Sequence, residues 1–285
     1  MGEAGGWTPQ WIGSGARRLY SALHLAPKGA SGLGVVLVPP LLHEQFRSRR
    51  LVTQVAIRLA AAGISCLRFD FRGSGDSDGP GECMDLASMR EDVGIAVAAL
   101  RDAADADSVA ALAFRGGALP LSAWLEGGGQ VGRAVLWEPV VDGAAWIDEL
   151  VEADAVELRS TVRYPLRRGR PVESDQAQLM GFGISPRLRQ DLSRVQVGST
   201  AWPGCPGAWG VLRPGVQLPT LPLTRVFELP ADAAHIGDST RMDGALFVSP
   251  GLQRVVDALA LALLQARPCM HPEPWVDDRV EARGA

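Results

Sequence analysis

Lysine is almost missing from this chain. Lys28 is the single lysine among 28 basic residues, and arginine supplies the rest. The arginines are scattered, so the skew reads as composition and not as a recognition surface. A net charge of −4 and a pI near 5.6 leave no global basic field to hold nucleic acid or an anionic membrane. Cysteine is scarce as well. Cys66, Cys83, Cys205 and Cys269 show no CxxC spacing, which argues against a zinc knuckle or a dithiol redox site. The longest apolar run, residues 255–264, is too short to span a bilayer. The first residues have neither the basic nor the apolar region of a secretory signal, and Gly6 stands where a myristoylation site needs Ser or Thr. These absences predict a cytoplasmic protein with no nucleic-acid or membrane partner, no metal and no cofactor. Homo-oligomerisation is left open.

What is present is a chain of 285 residues, 47% of them hydrophobic, long enough to bury a substantial core. Residues 34–39 and 64–69 are continuous apolar runs, the mark of strands buried on both faces. Residues 108–114 and 134–137 have the same character. Helical spacing recurs over about 46–62 and 85–104, with Gly63 closing the first helix. Strands alternating with helices at this rhythm predict an α/β fold with a doubly wound, mostly parallel sheet. The rhythm breaks over residues 141–200, which reads as a helical cap inserted over the strand ends. Weaker strands near 209–212 and 224–229 and a helix over 252–265 complete the pattern. The expected organisation is a core of 16–140 and 201–266, a cap of 141–200, and flexible termini at 1–15 and 267–285.

The strand at 108–114 runs into Phe114-Arg115-Gly116-Gly117 and then a helix. Strand, sharp turn and helix is the layout of a nucleophile elbow, where G-x-S-x-G holds a serine at the tip. Here Arg115 holds that position. A guanidinium stays protonated at neutral pH and cannot attack a carbonyl, but it can bind a carboxylate or phosphate. It needs a counter-charge if it is closed in, and Glu44, Glu138 and Asp142 are the candidates.

Two further stretches agree with that layout. Residues 70–79 read Asp70-Phe71-Arg72-Gly73-Ser74-Gly75-Asp76-Ser77-Asp78-Gly79, directly after a buried strand. Residues 39–50 read Pro39-Pro40-Leu41-Leu42-His43-Glu44 and end in Ser48-Arg49-Arg50. The chain thereby resembles the α/β-hydrolase superfamily. The Pro-Pro…Glu…Ser-Arg-Arg pattern, Leu136-Trp137-Glu138-Pro139, and the stretches from Pro171 and to Phe182 narrow the resemblance to a bacterial branch. Its members are serine-aminopeptidase-like or exosortase-system-associated hydrolases, which often carry an Arg at the elbow tip. The resemblance implies ester, thioester or amide hydrolysis or acyl transfer. It places Leu41, Leu42, His43, Glu44, Phe114, Gly116 and Asp142 around the oxyanion and ligand region.

The literal G-x-S-x-G at 75–79 makes Ser77 a decoy, because no strand immediately precedes it and no helix springs from it. The remaining triad positions depart too. Arg213-Pro214-Gly215 follows the strand where the acid belongs, which leaves Glu138 as the acid one strand earlier. His235 is the best-placed base and His43 the second. Two functions stay open at this point. One is a hydrolase or acyl-transfer protein using Arg115, His235 and Glu138. The other is a catalytically inactive pseudoenzyme that binds an anionic ligand, such as a small acyl compound, or a protein partner in a bacterial biosynthetic or secretion pathway.

Overall fold

A computed structural model describes residues 6–27, 31–160, 177–198, 200, 202–238 and 245–266. The Pro171-Val172-Glu173 stretch and the tail from 267 lie outside the described residues.

Eight strands form one sheet. In chain order they are β1 (Thr8–Ser14), β2 (Arg17–His24), β3 (Leu33–Val38), β4 (Ser65–Phe69), β5 (Ser108–Phe114), β6 (Arg133–Trp137), β9 (Ala208–Leu212) and β10 (Leu223–Glu228). The spatial order is β1-β2-β4-β3-β5-β6-β9-β10. From β4 to β10 every neighbouring pair is parallel, and β1 and β2 add an antiparallel edge. A two-stranded hairpin, β7 (Gln178–Leu179) with β8 (Phe182–Gly183), stands apart. The sheet is the predicted doubly wound, mostly parallel one. The structure corrects one end of it: residues 8–14, expected to be loose, pair with β2 along their whole length.

Both faces of the sheet are covered, which the unbroken apolar strands require. Side chains alternate across the pleat. In β5, Val109, Ala111 and Ala113 enter one core, and Ala110, Leu112 and Phe114 enter the other. Helices α1 (His43–Ala61) and α6 (Pro250–Gln265) cover the Phe114 face. Helices α2 (Leu86–Ala104) and α3 (Ala118–Glu126) cover the opposite one. Helix α2 starts at a capping box, in which Asp85 accepts from Ser88 N–H and Ser88 bonds back to Asp85.

Between β6 and β9 the chain leaves the sheet. Helix α4 (Gly143–Leu158), the small hairpin and α5 (Pro186–Ser193) pack together on the α2–α3 side. Gly143 fits tightly here: a Cβ would collide with the Leu192 carbonyl. Among the described residues no helix is long and apolar enough to cross a membrane.

Candidate functional site

The site forms where the parallel strands end. β5 stops at Phe114, a single 3₁₀ turn spans Arg115–Gly117, and α3 follows at once. Arg115 sits at φ 48°, the left-handed region that non-glycine residues rarely occupy. Gly117 lets the turn press against the end of β3. A Cβ there would collide with the Pro39 carbonyl and lie 3.0 Å from the Val38 oxygen. The turn therefore has the shape of a nucleophile elbow, with an arginine at its tip.

The Arg115 side chain turns inward. Its Nε donates to Glu44 Oε1 at 3.1 Å and its Nη1 to the Glu138 carbonyl at 3.3 Å. Gly237 closes over the guanidinium, and a Cβ at that glycine would collide with it. The two side chains are 13% and 1% exposed, so this is a buried ion pair. Burial pushes the Glu44 carboxyl above its ordinary range, against the pull of Arg115. Burial also opposes the charge on Arg115, but Glu44, its hydrogen bond and Glu138 hold that pKa above the usual arginine value. Of the three candidate partners, Glu44 in the first turn of α1 is the one that pairs.

Glu138, at the end of β6, also has a positive φ, 41°. Its carboxylate is buried. Oε1 accepts from Arg213 Nε at 2.7 Å and stands 3.4 Å from His235 Nε2. Oε2 is buried with no partner among the described residues. Arg213, read in the sequence only as a missing acid, is thus the counter-ion of Glu138. The signal was there: an arginine ends β9 next to a strand that ends in a carboxylate. The His235 ring lies 43% exposed on the loop after β10. Partial burial, with Arg213 and Arg115 nearby, lowers its pKa, and Glu138 offsets part of that. The imidazole is neutral at pH 7.

Arg115, Glu138, Leu212, Arg213, Val216 and His235 line a cleft of about 130 Å³. No serine, threonine or cysteine lines it among the described residues. Trp146 of α4 packs over the elbow, its ring 3.0 Å from where a Gly116 Cβ would stand, and Leu41 closes in beside it at 3.3 Å. No local sequence pattern marks Trp146 as a neighbour of the elbow.

Other expected site residues fall elsewhere. Phe114 does not reach the cleft. It is fully buried in the α1–α6 core with its ring 5.2 Å from that of Trp137, because residue 114 follows Ala113 across the pleat. Asp142 is the N-cap of α4, accepting from Ala145 N–H at 3.0 Å. Leu42 precedes α1 at φ 54°. His43 is buried, both its ring nitrogens have no partner among the described residues, and its pKa falls to about 4 through burial and the nearby Arg47 and Arg115 charges.

Ser77 is structural. Its Oγ donates to the Asp70 carbonyl at 2.6 Å and accepts from Tyr20 N–H at 2.9 Å, tying the Gly-rich loop to β2. Ser77→Ala is expected to cost about 1–2 kcal/mol in urea unfolding, the worth of those bonds. A variant of wild-type stability would show that they do not hold the loop. Among the described residues no group of three or more His, Cys, Asp or Glu side chains is placed to hold a metal.

The chain matches no family model and no curated protein sequence. Solved structures match its fold. Est1E from Butyrivibrio proteoclasticus, with ferulic acid bound, is 14% identical with a TM-score of 0.58, over 90% of this chain and 98% of that one. The alpha/beta hydrolase GrgF from Penicillium sp. sh18 is 16% identical with a TM-score of 0.54, over 78% and 89%. A putative hydrolase from Agrobacterium vitis S4 is 16% identical with a TM-score of 0.52, over 90% and 97%. Strand order, elbow and these likenesses together give the chain the α/β-hydrolase fold.

Proposed function

We propose that this α/β-hydrolase-fold chain is a binding protein without covalent catalysis, and that the cleft beside the elbow receives a small anion. The observation that carries this reading is the buried Arg115–Glu44 pair in the nucleophile's seat. A guanidinium held by a carboxylate cannot form an acyl intermediate. It also fills the space from which a serine would attack. Arg115, Arg213 and His235 line the cleft, and Arg213 is 28% exposed there, so a carboxylate or phosphate entering it meets donors. Residues 141–200, the expected cap, would then close the elbow through Trp146 of α4.

Two measurements test this. A fluorophosphonate probe is expected to leave no adduct on the wild-type protein, and an adduct on any serine overturns the proposal. Acetate and inorganic phosphate are expected to raise the melting temperature of the wild type, with at least one of them losing its effect in Arg213→Met. The absence of any wild-type response to either removes the ligand from the proposal.

One observation favours a second reading. Glu138 and His235 keep the spacing of an acid and base pair, and the neutral imidazole faces the cleft. It could draw a proton from water without a covalent step. That reading requires p-nitrophenyl acetate hydrolysis above the buffer rate that is lost in His235→Gln. The binding reading requires a rate equal to buffer in both proteins.

A further inference from the structure

A larger cleft, about 230 Å³, lies beyond α1 from the elbow. Its walls are the second half of β4, the Pro39-Pro40 segment that ends β3, and one side of α1, with Trp7 at the mouth. None of the elbow-cleft residues lines it.

Arg68 in β4 lines this cleft and has no counter-ion among the described residues. Its Nε donates to His24 Nε2 at 3.0 Å, and the guanidinium lies 5.7 Å from the centre of the Trp7 ring. Its terminal nitrogens make no hydrogen bond among the described residues, and no carboxylate pairs with it there. His24 is fully buried and uncharged at neutral pH, its pKa lowered to about 4 by burial and by Arg68 itself. Asp70, the acid that attracts Arg68 from a distance, is already committed. Its oxygens accept from Gln45 Nε2 at 2.9 Å, from Arg49 Nη2 at 3.0 Å and from Asp76 N–H at 3.1 Å. Arg49, the other cation of the cleft, is itself paired with Asp70 and Asp76. A largely buried guanidinium facing open space with a neutral partner is costly for a fold to keep. Arg49, Arg58, Arg115 and Arg213 all have carboxylates.

We propose that this cleft is a second binding site, for a small carboxylate with an aromatic or short aliphatic body. The carboxylate pairs with the free edge of the Arg68 guanidinium, and the body packs against Leu37, Pro39, Val52 and Trp7. One uncommitted cation balances a single negative charge, and the Asp70 and Asp76 carboxylates on the cleft wall disfavour a dianion. The volume lies below the roughly 300 Å³ at which sites for drug-sized ligands begin, which points to a ligand of benzoate or hexanoate size.

Calorimetry and thermal melts with benzoate, hexanoate and inorganic phosphate test the site in the wild type, Arg68→Met, Trp7→Ala and Arg213→Met. Benzoate and hexanoate are expected to bind the wild type and raise its melting temperature. Arg68→Met is expected to weaken binding about tenfold or more, the loss of a charge-assisted pair. Anion binding at the elbow cleft is expected to be lost in Arg213→Met, while the part of benzoate binding that Arg68→Met removes is expected to remain. Three results overturn the site: no wild-type benzoate or hexanoate binding, binding unchanged in Arg68→Met, or phosphate binding that depends on Arg68 as strongly as benzoate binding does. Benzoate binding lost in Arg213→Met and kept in Arg68→Met moves the ligand to the elbow cleft, which overturns this site and leaves the proposed function standing. If Arg68→Met does not fold, Trp7→Ala decides, since Trp7 lies outside every strand and helix. Weakened benzoate binding there supports the site, and unchanged binding overturns it.

Discussion

Arg115→Ala is expected to lose about 3–5 kcal/mol of stability in urea unfolding, the cost of leaving one member of a buried ion pair without its partner. The loss comes from Glu44, not from the arginine's own packing. Once Arg115 is gone, a carboxylate that is 1% exposed has no cation beside it. Its pKa, already raised by burial, rises further, which favours the protonated carboxyl. Glu44→Gln is expected to be destabilising as well, because the buried guanidinium then has hydrogen-bond acceptors but no carboxylate beside it. Replacing both together, Arg115→Met with Glu44→Leu, is expected to recover most of the loss, since apolar substitutes for a buried pair are often neutral. A double-mutant cycle reads this as a coupling of several kcal/mol. A single-variant cost below about 1 kcal/mol, the range of an exposed pair, would mean that the two groups do not meet in a closed site.

Acid is expected to unfold the protein well before its carboxylates titrate in bulk. His24 and His43 are buried, and each has a pKa lowered from 6.5 to about 4. A histidine with a lowered folded pKa takes up a proton on unfolding, so stability rises with pH between the two values. The stability held at pH 7 is lost as pH falls from 6.5 toward 4, on the order of 3 kcal/mol for each ring. Glu44 and Asp92, whose pKa values burial raises, act in the opposite sense. The decisive quantity is therefore the difference between proteins. Urea midpoints from pH 7 to pH 4.5 are expected to fall less steeply in His43→Leu than in the wild type. Equal slopes would mean that His43 is solvated and titrates normally.

The parallel core was legible because buried strands show as unbroken apolar runs, and the Gly-rich turn after residue 114 marked the elbow. Strand β1 was not legible. Its residues are mostly exposed, and what makes them a strand is the edge of β2, a partner the local pattern does not contain. The Arg115 partner could be narrowed to three acids but not chosen, because Glu44 lies 71 residues away and the choice depends on how α1 meets the end of β5. Asp142 and Phe114 were misplaced for different reasons. An aspartate just before a helix is first of all a cap, and a strand residue's face follows from its neighbour's. Arg213 was read for the acid it is not, although an arginine beside Glu138 was itself the information. Trp146 left no trace because its contact with Gly116 exists only after α4 folds back over the elbow.

The ion pair also constrains how this sequence can change. A single exchange of Arg115 for serine would put a hydroxyl at the elbow tip while stranding Glu44, and a single loss of Glu44 would strand Arg115. Either intermediate spends several kcal/mol of a stability that is typically only about 5–15 kcal/mol in total. Positions 44 and 115 are therefore epistatic. A lineage carrying this pair crosses a valley of poorly folded variants unless both codons change together, so the arginine works as a ratchet at the tip of the elbow.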